Sequence, residues 1–223
     1  MAAGLTAALQ GRLPAPTAAR LAALAGRPWS ADFYLAGSAA LALHLDHRPV
    51  RDLDLMGGTR RLQPPERRDL LADLLALDPA TRVETARDGY LFIRFPDEVA
   101  LRLFWYPYPL VDPLEERDGL AVASLVDLGL MKLGALISRG TRRDFVDLHL
   151  IARRLPLDEL LERAGEKFGH VGDFAVQATK ALADFSEADE EPLPALAEPL
   201  AWQAVRDWAR GEAARLGAAL LAG

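Results

Sequence analysis

The sequence contains no cysteine, which excludes disulfides and thiolate metal sites. Its four histidines, His44, His47, His149 and His170, show no paired ligand spacing. No apolar run approaches the ~20 residues that a membrane-spanning helix needs. The first residues lack a basic start followed by a continuous apolar stretch, so no signal peptide is expected. Positive charge is in deficit: 26 Lys and Arg stand against 32 Asp and Glu, a net charge of −6. A broad basic surface that coats nucleic acid is therefore not expected, while a local basic pocket for phosphates remains open. No internal repeat is found. What is present is 223 residues, 51% hydrophobic and 26% charged. That is the composition of a globular protein with a sizeable core. The expectation is a soluble cytoplasmic protein with no membrane partner.

Residues 2–26 carry Ala and Leu at helical spacing, with a break at Pro14 and Pro16. Residues 32–36 (DFYLA) read as a short buried strand. Gly37-Ser38 turns that strand into a helical segment that Pro49 stops. Residues 50–56 (VRDLDLM) alternate and read as a second strand, ended by Gly57-Gly58. Residues 65–77 form a helix with proline at its start. Residues 90–95 (YLFIRF) and 99–106 (VALRLFWY) read as strands joined by the turn Pro96-Asp97-Glu98. Past residue 112 the pattern becomes helical, over 123–138, 142–154, 157–168, 173–185 and 200–221. An acidic, proline-rich connection spans 186–199. Ser124 can cap the first of these helices. The expected organisation is an α/β domain over residues 1–112 followed by a helical domain over 113–223.

The order strand, Gly-Ser, helix, strand with Asp-x-Asp carries the chemistry. Strand side chains alternate faces, so Asp52 and Asp54 point the same way, roughly 6–7 Å apart along the strand. Two such carboxylates repel each other unless a cation sits between them. Hard oxygens suit Mg²⁺, which takes one or two carboxylates and completes its shell with water and phosphate. Gly37 lets the backbone approach a phosphate, Ser38 adds a hydroxyl, and the N–H groups of the helix starting there favour an anion. Together these are the minimum equipment for metal-assisted nucleotidyl transfer. Taken singly, a Gly-Ser turn is usually only a turn, and one aspartate of such a pair can be an edge charge facing water.

A second cluster lies in the helical half. Lys132, Arg139 and Arg143 fall within twelve residues around the break Arg139-Gly140-Thr141. The spacing of seven puts Lys132 and Arg139 near one helix face if the turn stays regular. Cations there can neutralise triphosphate charge and stabilise leaving pyrophosphate. Asp144 and Asp147, three apart, share a face. The structural alternative is a surface ion pair between Arg143 and Asp147, with Lys132 snorkelling from a core helix.

These two motifs carry a resemblance. FYLAGSAALALHLDHRPVRDLDLM resembles the opening motif of the AbiEii/AbiGii toxin-type nucleotidyltransferases, within the DNA polymerase β-like nucleotidyltransferase superfamily. KLGALISRGTRRDFVD is similar to the family's downstream motif, with Lys132, Ala135, Arg139, Arg143, Asp144 and Asp147 at its spacing. LRLFWYPYPLVD also resembles a family segment, and the likeness covers about residues 30–155. It implies an α+β fold: a nucleotidyltransferase-like mixed sheet with flanking helices, followed by a C-terminal helical bundle. It implies Asp52 and Asp54 as metal ligands for Mg²⁺. Gly37, Ser38, Lys132, Arg139 and Arg143 would bind nucleotide. Asp52, Asp54, Lys132 and Asp144 would form the catalytic set, Asp144 positioning or deprotonating the acceptor. The implied reaction moves a nucleoside monophosphate from an NTP to an acceptor, RNA and especially tRNA, with protein as second choice. The implied setting is a toxin with an antitoxin protein as partner.

One departure from the superfamily pattern stands out. Many relatives place a third carboxylate on a later strand, whereas VALRLFWY has Leu101, Arg102 and Leu103 at its middle. Either Asp144 fills that role or turnover is weak or absent, and Arg102 contacts phosphate or pairs with Asp52 or Asp54. The alternative function is thus a catalytically weakened nucleotide- or partner-binding module, or a structural or regulatory subunit, with the same fold. His47 and Arg48 read as a solvated loop, and Arg60, Arg61, Arg67 and Arg68 as a solvated helix face. Tyr106 and Tyr108, and Trp202 and Trp208, read as packing residues.

Overall fold

The computed structural model describes residues 11–117 and 119–222. The chain divides into two compact units. The first runs to Tyr108 and resumes over Pro113–Ser124, and the second takes Pro109–Asp112 and everything from Leu125 onward.

The first unit is built on a sheet. Its helices are α1 (Ala15–Ala25), α2 (Gly37–Leu45) and α3 (Pro64–Leu77). Its strands are β1 (Tyr34–Ala36), β2 (Asp52–Gly57), β3 (Arg82–Arg87), β4 (Tyr90–Arg94), β5 (Ala100–Trp105), β6 (Glu115–Arg117) and β7 (Leu120–Val122). The described strands form one mixed sheet in the order β3-β4-β5-β2-β1-β7-β6. β2 pairs parallel with β5 and antiparallel with β1, and β1 pairs parallel with β7. Strand alternation sorts the faces. Leu53, Leu55, Leu91, Ile93, Leu101 and Leu103 are buried on one side, where each contributes about 1.5–3 kcal/mol. Asp52, Asp54, Phe92, Arg102 and Phe104 are half-buried on the other. One strand pattern thus fixes the core and leaves a polar face open for a site.

Several boundaries differ from the sequence reading. Of the helix expected over 2–26, residues 2–10 lie outside the described residues, and α1 begins after Pro14. The strand expected from residue 32 is shorter, because Pro28–Asp32 closes as a 3₁₀ turn before it. β3, β6 and β7 were not anticipated. β3 (RVETAR) is almost wholly exposed and half of its residues are charged, as an edge strand protected against further pairing tends to be. The connection over 186–199 contains a short helix, Ser186–Glu190.

The second unit is helical: α4 (Leu125–Ser138), α5 (Arg142–Ala152), α6 (Leu157–Phe168), α7 (Phe174–Ala181), α8 (Ser186–Glu190) and α9 (Trp202–Ala222). α4 packs against α5, α6 and α7. Phe145, Phe185 and Trp202 form an aromatic cluster, with Phe145 and Phe185 centroids 5.0 Å apart. A buried ion pair fastens residues 109–112 into this unit. Lys167 Nζ donates to Asp127 Oδ1 at 2.7 Å and to the Pro109 carbonyl at 2.8 Å. Asp127 also accepts from the backbone N–H groups of Val111 and Asp112, both at 3.1 Å. Those bonds outweigh the burial that opposes its charge and hold its carboxyl below the usual carboxylate range. Buried charges persist where they are paired and hydrogen-bonded in this way.

Candidate active site

In the first unit the sequence motif becomes a single compact object. β1 ends at Ala36 and α2 starts at Gly37 with no side-chain cap. Gly37 has φ +60°, a conformation in which side chains other than glycine are strained. A Cβ there would sit 2.3 Å from Asp54 Oδ2. Register explains the approach, because Ala36 of β1 stands beside Asp54 of β2. The Asp54 carboxylate therefore lies against the first residue of a helix, whose N-terminal end favours negative charge. Ser38 Oγ accepts a short hydrogen bond from Arg48 Nη2. This corrects the reading of His47 and Arg48 as a solvated loop: both are buried, and Arg48 braces the Gly-Ser turn. The left-handed Asp46 (φ 51°) that ends α2 redirects the chain there.

Asp52 and Asp54 share the open face, as alternation requires, and Arg102 stands between them. Asp54 and Arg102 are register partners on the parallel strands β2 and β5. Arg102 Nη1 donates to Asp52 Oδ2 at 2.9 Å and lies 3.4 Å from Asp54 Oδ1. On the opposite flank the Phe92 ring supports the guanidinium, 4.9 Å from its centroid. Burial works against the charge of Arg102, but the two carboxylates outweigh it and hold its pKa above the ordinary guanidinium value. The other acids near this sequence region are engaged elsewhere. Glu84 pairs with Arg94, Asp97 with Arg20 and Glu98 with Arg82. Glu84 sits on β3, three strands from β2, or roughly 14 Å across the sheet.

The donor set fits a hard divalent cation. Two half-exposed carboxylates share a face, and Asp54 Oδ2 is packed where a Cβ of residue 37 would stand, which only glycine permits. Among the described residues, no group of three or more His, Asp or Glu is gathered that could hold a metal. The protein thus offers part of a coordination shell, of the kind that substrate phosphates and water complete.

In the second unit Lys132 and Arg139 meet at Asp144. Lys132 Nζ lies 3.1 Å from Asp144 Oδ1 and 2.7 Å from Asp147 Oδ2. Arg139 grips Asp144 with two nitrogens, Nε to Oδ2 at 2.8 Å and Nη2 to Oδ1 at 3.0 Å. Thr141 Oγ1 donates to Oδ2 at 2.6 Å. Asp144 is only 1% exposed, and although burial opposes its charge, these donors hold its carboxyl well below the usual range. Lys132 is likewise held above its ordinary value, its two aspartates outweighing desolvation. Deprotonating an acceptor calls for an accessible base with a pKa near the working pH. A sequestered, fully bonded anion is suited instead to aiming Lys132 and Arg139. The Arg139 side chain is 61% exposed and lines a cavity of about 640 Å³ with Lys180 and Gln177. Arg143 is exposed while Asp147 is buried on Lys132, so the structural alternative of a surface pair between Arg143 and Asp147 gives way to a buried Lys132–Asp147 pair.

The remaining candidates are structural. Arg60 pairs with Asp32, Arg67 with Asp88 and Arg68 with Asp69, while Arg61 lies over the Trp105 ring. Tyr106 and Tyr108 pack on each other at 4.6 Å. Trp208 meets His149 at 4.8 Å.

Comparison with known proteins fits this geometry. The profile of the nucleotidyl transferase AbiEii toxin family, type IV TA system, matches residues 20–215. The chain is similar to an uncharacterised protein of Aquifex aeolicus (strain VF5), 30% identical over 167 residues, covering 72% of this chain and 77% of that one. The fold is similar to that of JHP933 from Helicobacter pylori, with TM-score 0.52 and 17% identity over 95% of this chain and 88% of the other. It is also similar to that of MenT4, a nucleotidyltransferase toxin from Mycobacterium tuberculosis H37Rv, with TM-score 0.52 and 16% identity over 97% and 84%. The matched stretch runs from α1 into α9 and includes both clusters, and on that ground the chain belongs to the AbiEii family of nucleotidyl transferase toxins of type IV toxin–antitoxin systems.

Proposed function

We propose that this protein moves a nucleoside monophosphate from an NTP to an acceptor, releasing pyrophosphate, as a toxin restrained by an antitoxin protein. One observation carries the reading beyond family membership: the Gly37 turn and the Asp54 carboxylate are so close that a Cβ would meet Oδ2 at 2.3 Å. A glycine turn at a helix N-terminus and an acidic pair are thus brought into contact in one strand-turn-helix unit. Asp52 and Asp54 would hold Mg²⁺, which when bound neutralises phosphate charge. Gly37 and Ser38 cradle the β- and γ-phosphates, with Arg48 fixing the Ser38 hydroxyl. Within the second unit, Lys132, Arg139 and Arg143 are the phosphate-binding cations of this reading, and Asp144 is the positioning residue for the first two. The acceptor is RNA, with tRNA first and protein second, in the cytoplasm. No helix among the described residues is long and apolar enough to cross a membrane.

A second reading has its own observation. Arg102 already pairs with both Asp52 and Asp54 and offsets one of their two charges, which suits a module that binds nucleotide or a partner without turnover. The two readings separate in one experiment. The protein is incubated with each α-labelled NTP, Mg²⁺ and total RNA or cell lysate. Nuclease-sensitive label supports transfer to RNA and protease-sensitive label transfer to protein. NTP binding by calorimetry that EDTA leaves unchanged, with no labelled product, supports the binding module.

A further inference from the structure

Arg102 stands beside Asp54 on the neighbouring strand and contacts both carboxylates of the acidic pair. Asp52 and Asp54 with Arg102 carry a net charge of −1, by −1 −1 +1. With an acid at position 102 the same cluster would carry −3. The guanidinium is not a passing visitor. Strand register puts it beside Asp54, the Phe92 ring supports it from the neighbouring strand, and Asp52 accepts its hydrogen bond at 2.9 Å. The repulsion between two carboxylates, which in its absence would call for a bound cation, is already relieved by the protein's own residue. The described residues also gather no third acidic or imidazole ligand, so the pair alone is a poor cage for a free ion.

From this we infer that Arg102 is an internal counter-cation that keeps a divalent metal out of the acidic pair until a nucleoside triphosphate brings oxygen ligands with it. Metal and nucleotide then bind as one unit, and Mg²⁺ without nucleotide leaves the site as it is. The inference rests on the proposed nucleotidyl transfer for its ligand, the triphosphate, but its metal arm is measured without any turnover.

The test is a Mn²⁺ titration followed by the electron paramagnetic resonance of free Mn²⁺. It uses wild type, Arg102→Gln, Arg102→Lys, Asp54→Asn and the double variant Arg102→Gln/Asp54→Asn. Each is titrated alone and with a mixture of four NTP analogues carrying a methylene between the α- and β-phosphorus. Wild type and Arg102→Lys should bind Mn²⁺ weakly alone and take up one ion when the analogue is present. Arg102→Gln should bind Mn²⁺ alone at least roughly tenfold more tightly, since one unit of positive charge a few Å from the ion is gone. The double variant should lose that gain. Wild type binding Mn²⁺ alone as tightly as Arg102→Gln would overturn the inference, and that comparison includes a measurement on the native protein itself. A gain that persists in the double variant would also overturn it, because the ion would then lie elsewhere. The two proposals fail differently. If the metal data come out as expected but no analogue binds and no label is transferred, nucleotidyl transfer fails and the counter-cation stands. If label is transferred while wild type holds Mn²⁺ without nucleotide, the counter-cation fails and transfer stands.

Discussion

Replacing Gly37 with Ala loads two costs onto one position. The backbone holds φ +60°, where a Cβ costs roughly 1–2 kcal/mol. For a chain of this size that corresponds to a fall in melting temperature of about 2–8 °C, at ~2–4 °C per kcal/mol. The second cost falls on the site. The new Cβ would lie 2.3 Å from Asp54 Oδ2, against the 3.4 Å at which ordinary contact begins, so the carboxylate must withdraw by 3.4 − 2.3 = 1.1 Å. A displacement near 1 Å can cost on the order of 100-fold in rate when it moves a group that orients reactants. Gly211 is the internal control. It sits exposed within α9, has no positive φ and would meet nothing within 4 Å. Gly211→Ala should raise stability by about 0.5–1 kcal/mol and leave labelling unchanged. Thermal denaturation and transfer of label from an α-labelled NTP read both effects. A Gly37→Ala protein that melts within about 1 °C of wild type and labels acceptor at the wild-type rate would refute the reasoning.

Three further outcomes follow from the same structure. Lys167→Met leaves Asp127 buried without its cation and frees the Pro109 carbonyl, so urea denaturation should show a loss of about 3 kcal/mol or more; a loss under about 1 kcal/mol would contradict the account of how residues 109–112 are held. Asp127 and Asp144 have lowered pKa values, so their stabilisation is complete above the unfolded carboxylate pKa of ~3.9 and is lost as pH falls through their folded values. Asp144→Asn should therefore flatten the acid limb of the stability curve, and an unchanged limb would count against the bonding described. Burial lowers the pKa of His44, outweighing the Ala123 carbonyl that its Nε2 meets at 2.9 Å and the nearby Glu115. Its stabilisation should be complete above ~6.5 and decline as pH falls toward the folded value, and His44→Gln should remove that slope.

Strand alternation made the central pair legible. DLDLM could place Asp52 and Asp54 on one face only as a strand, and Gly37-Ser38 before a helical run marked the turn that meets it. The spacing of Lys132 and Arg139 suggested one helix face, whereas Arg139 lies past the end of α4 and the two meet at Asp144 instead. What escaped the sequence depended on neighbours distant along the chain. β3 carries charges instead of an apolar alternation because its surroundings are solvent, and β6 and β7 are only three residues each. The pairing of Arg102 with an aspartate was one of two sequence alternatives, and the structure shows it made to both; choosing it over phosphate contact needed the parallel register of β2 and β5, which no local pattern encodes. Burial of Arg48 accompanies its hydrogen bond to Ser38, ten residues back, and a left-handed Asp46, a conformation that Asp permits but does not demand. The saturation of Asp144 was half visible: Lys132 and Arg139 were evident, but Thr141 and the degree of burial were not. Spacing could not show that a carboxylate read as a base candidate is enclosed by three donors.

The central claim is that the acidic pair beside Gly37 carries metal-dependent nucleotidyl transfer. Asp54→Asn tests it most directly, since it removes the charge and keeps the shape. Wild type and the variant are given α-labelled NTPs, Mg²⁺ and tRNA, with folding checked by circular dichroism. The account predicts labelled tRNA and pyrophosphate from wild type, and a loss of at least roughly 100-fold in the variant. Equal labelling by a folded Asp54→Asn protein, or none by wild type with any NTP and acceptor, would contradict it.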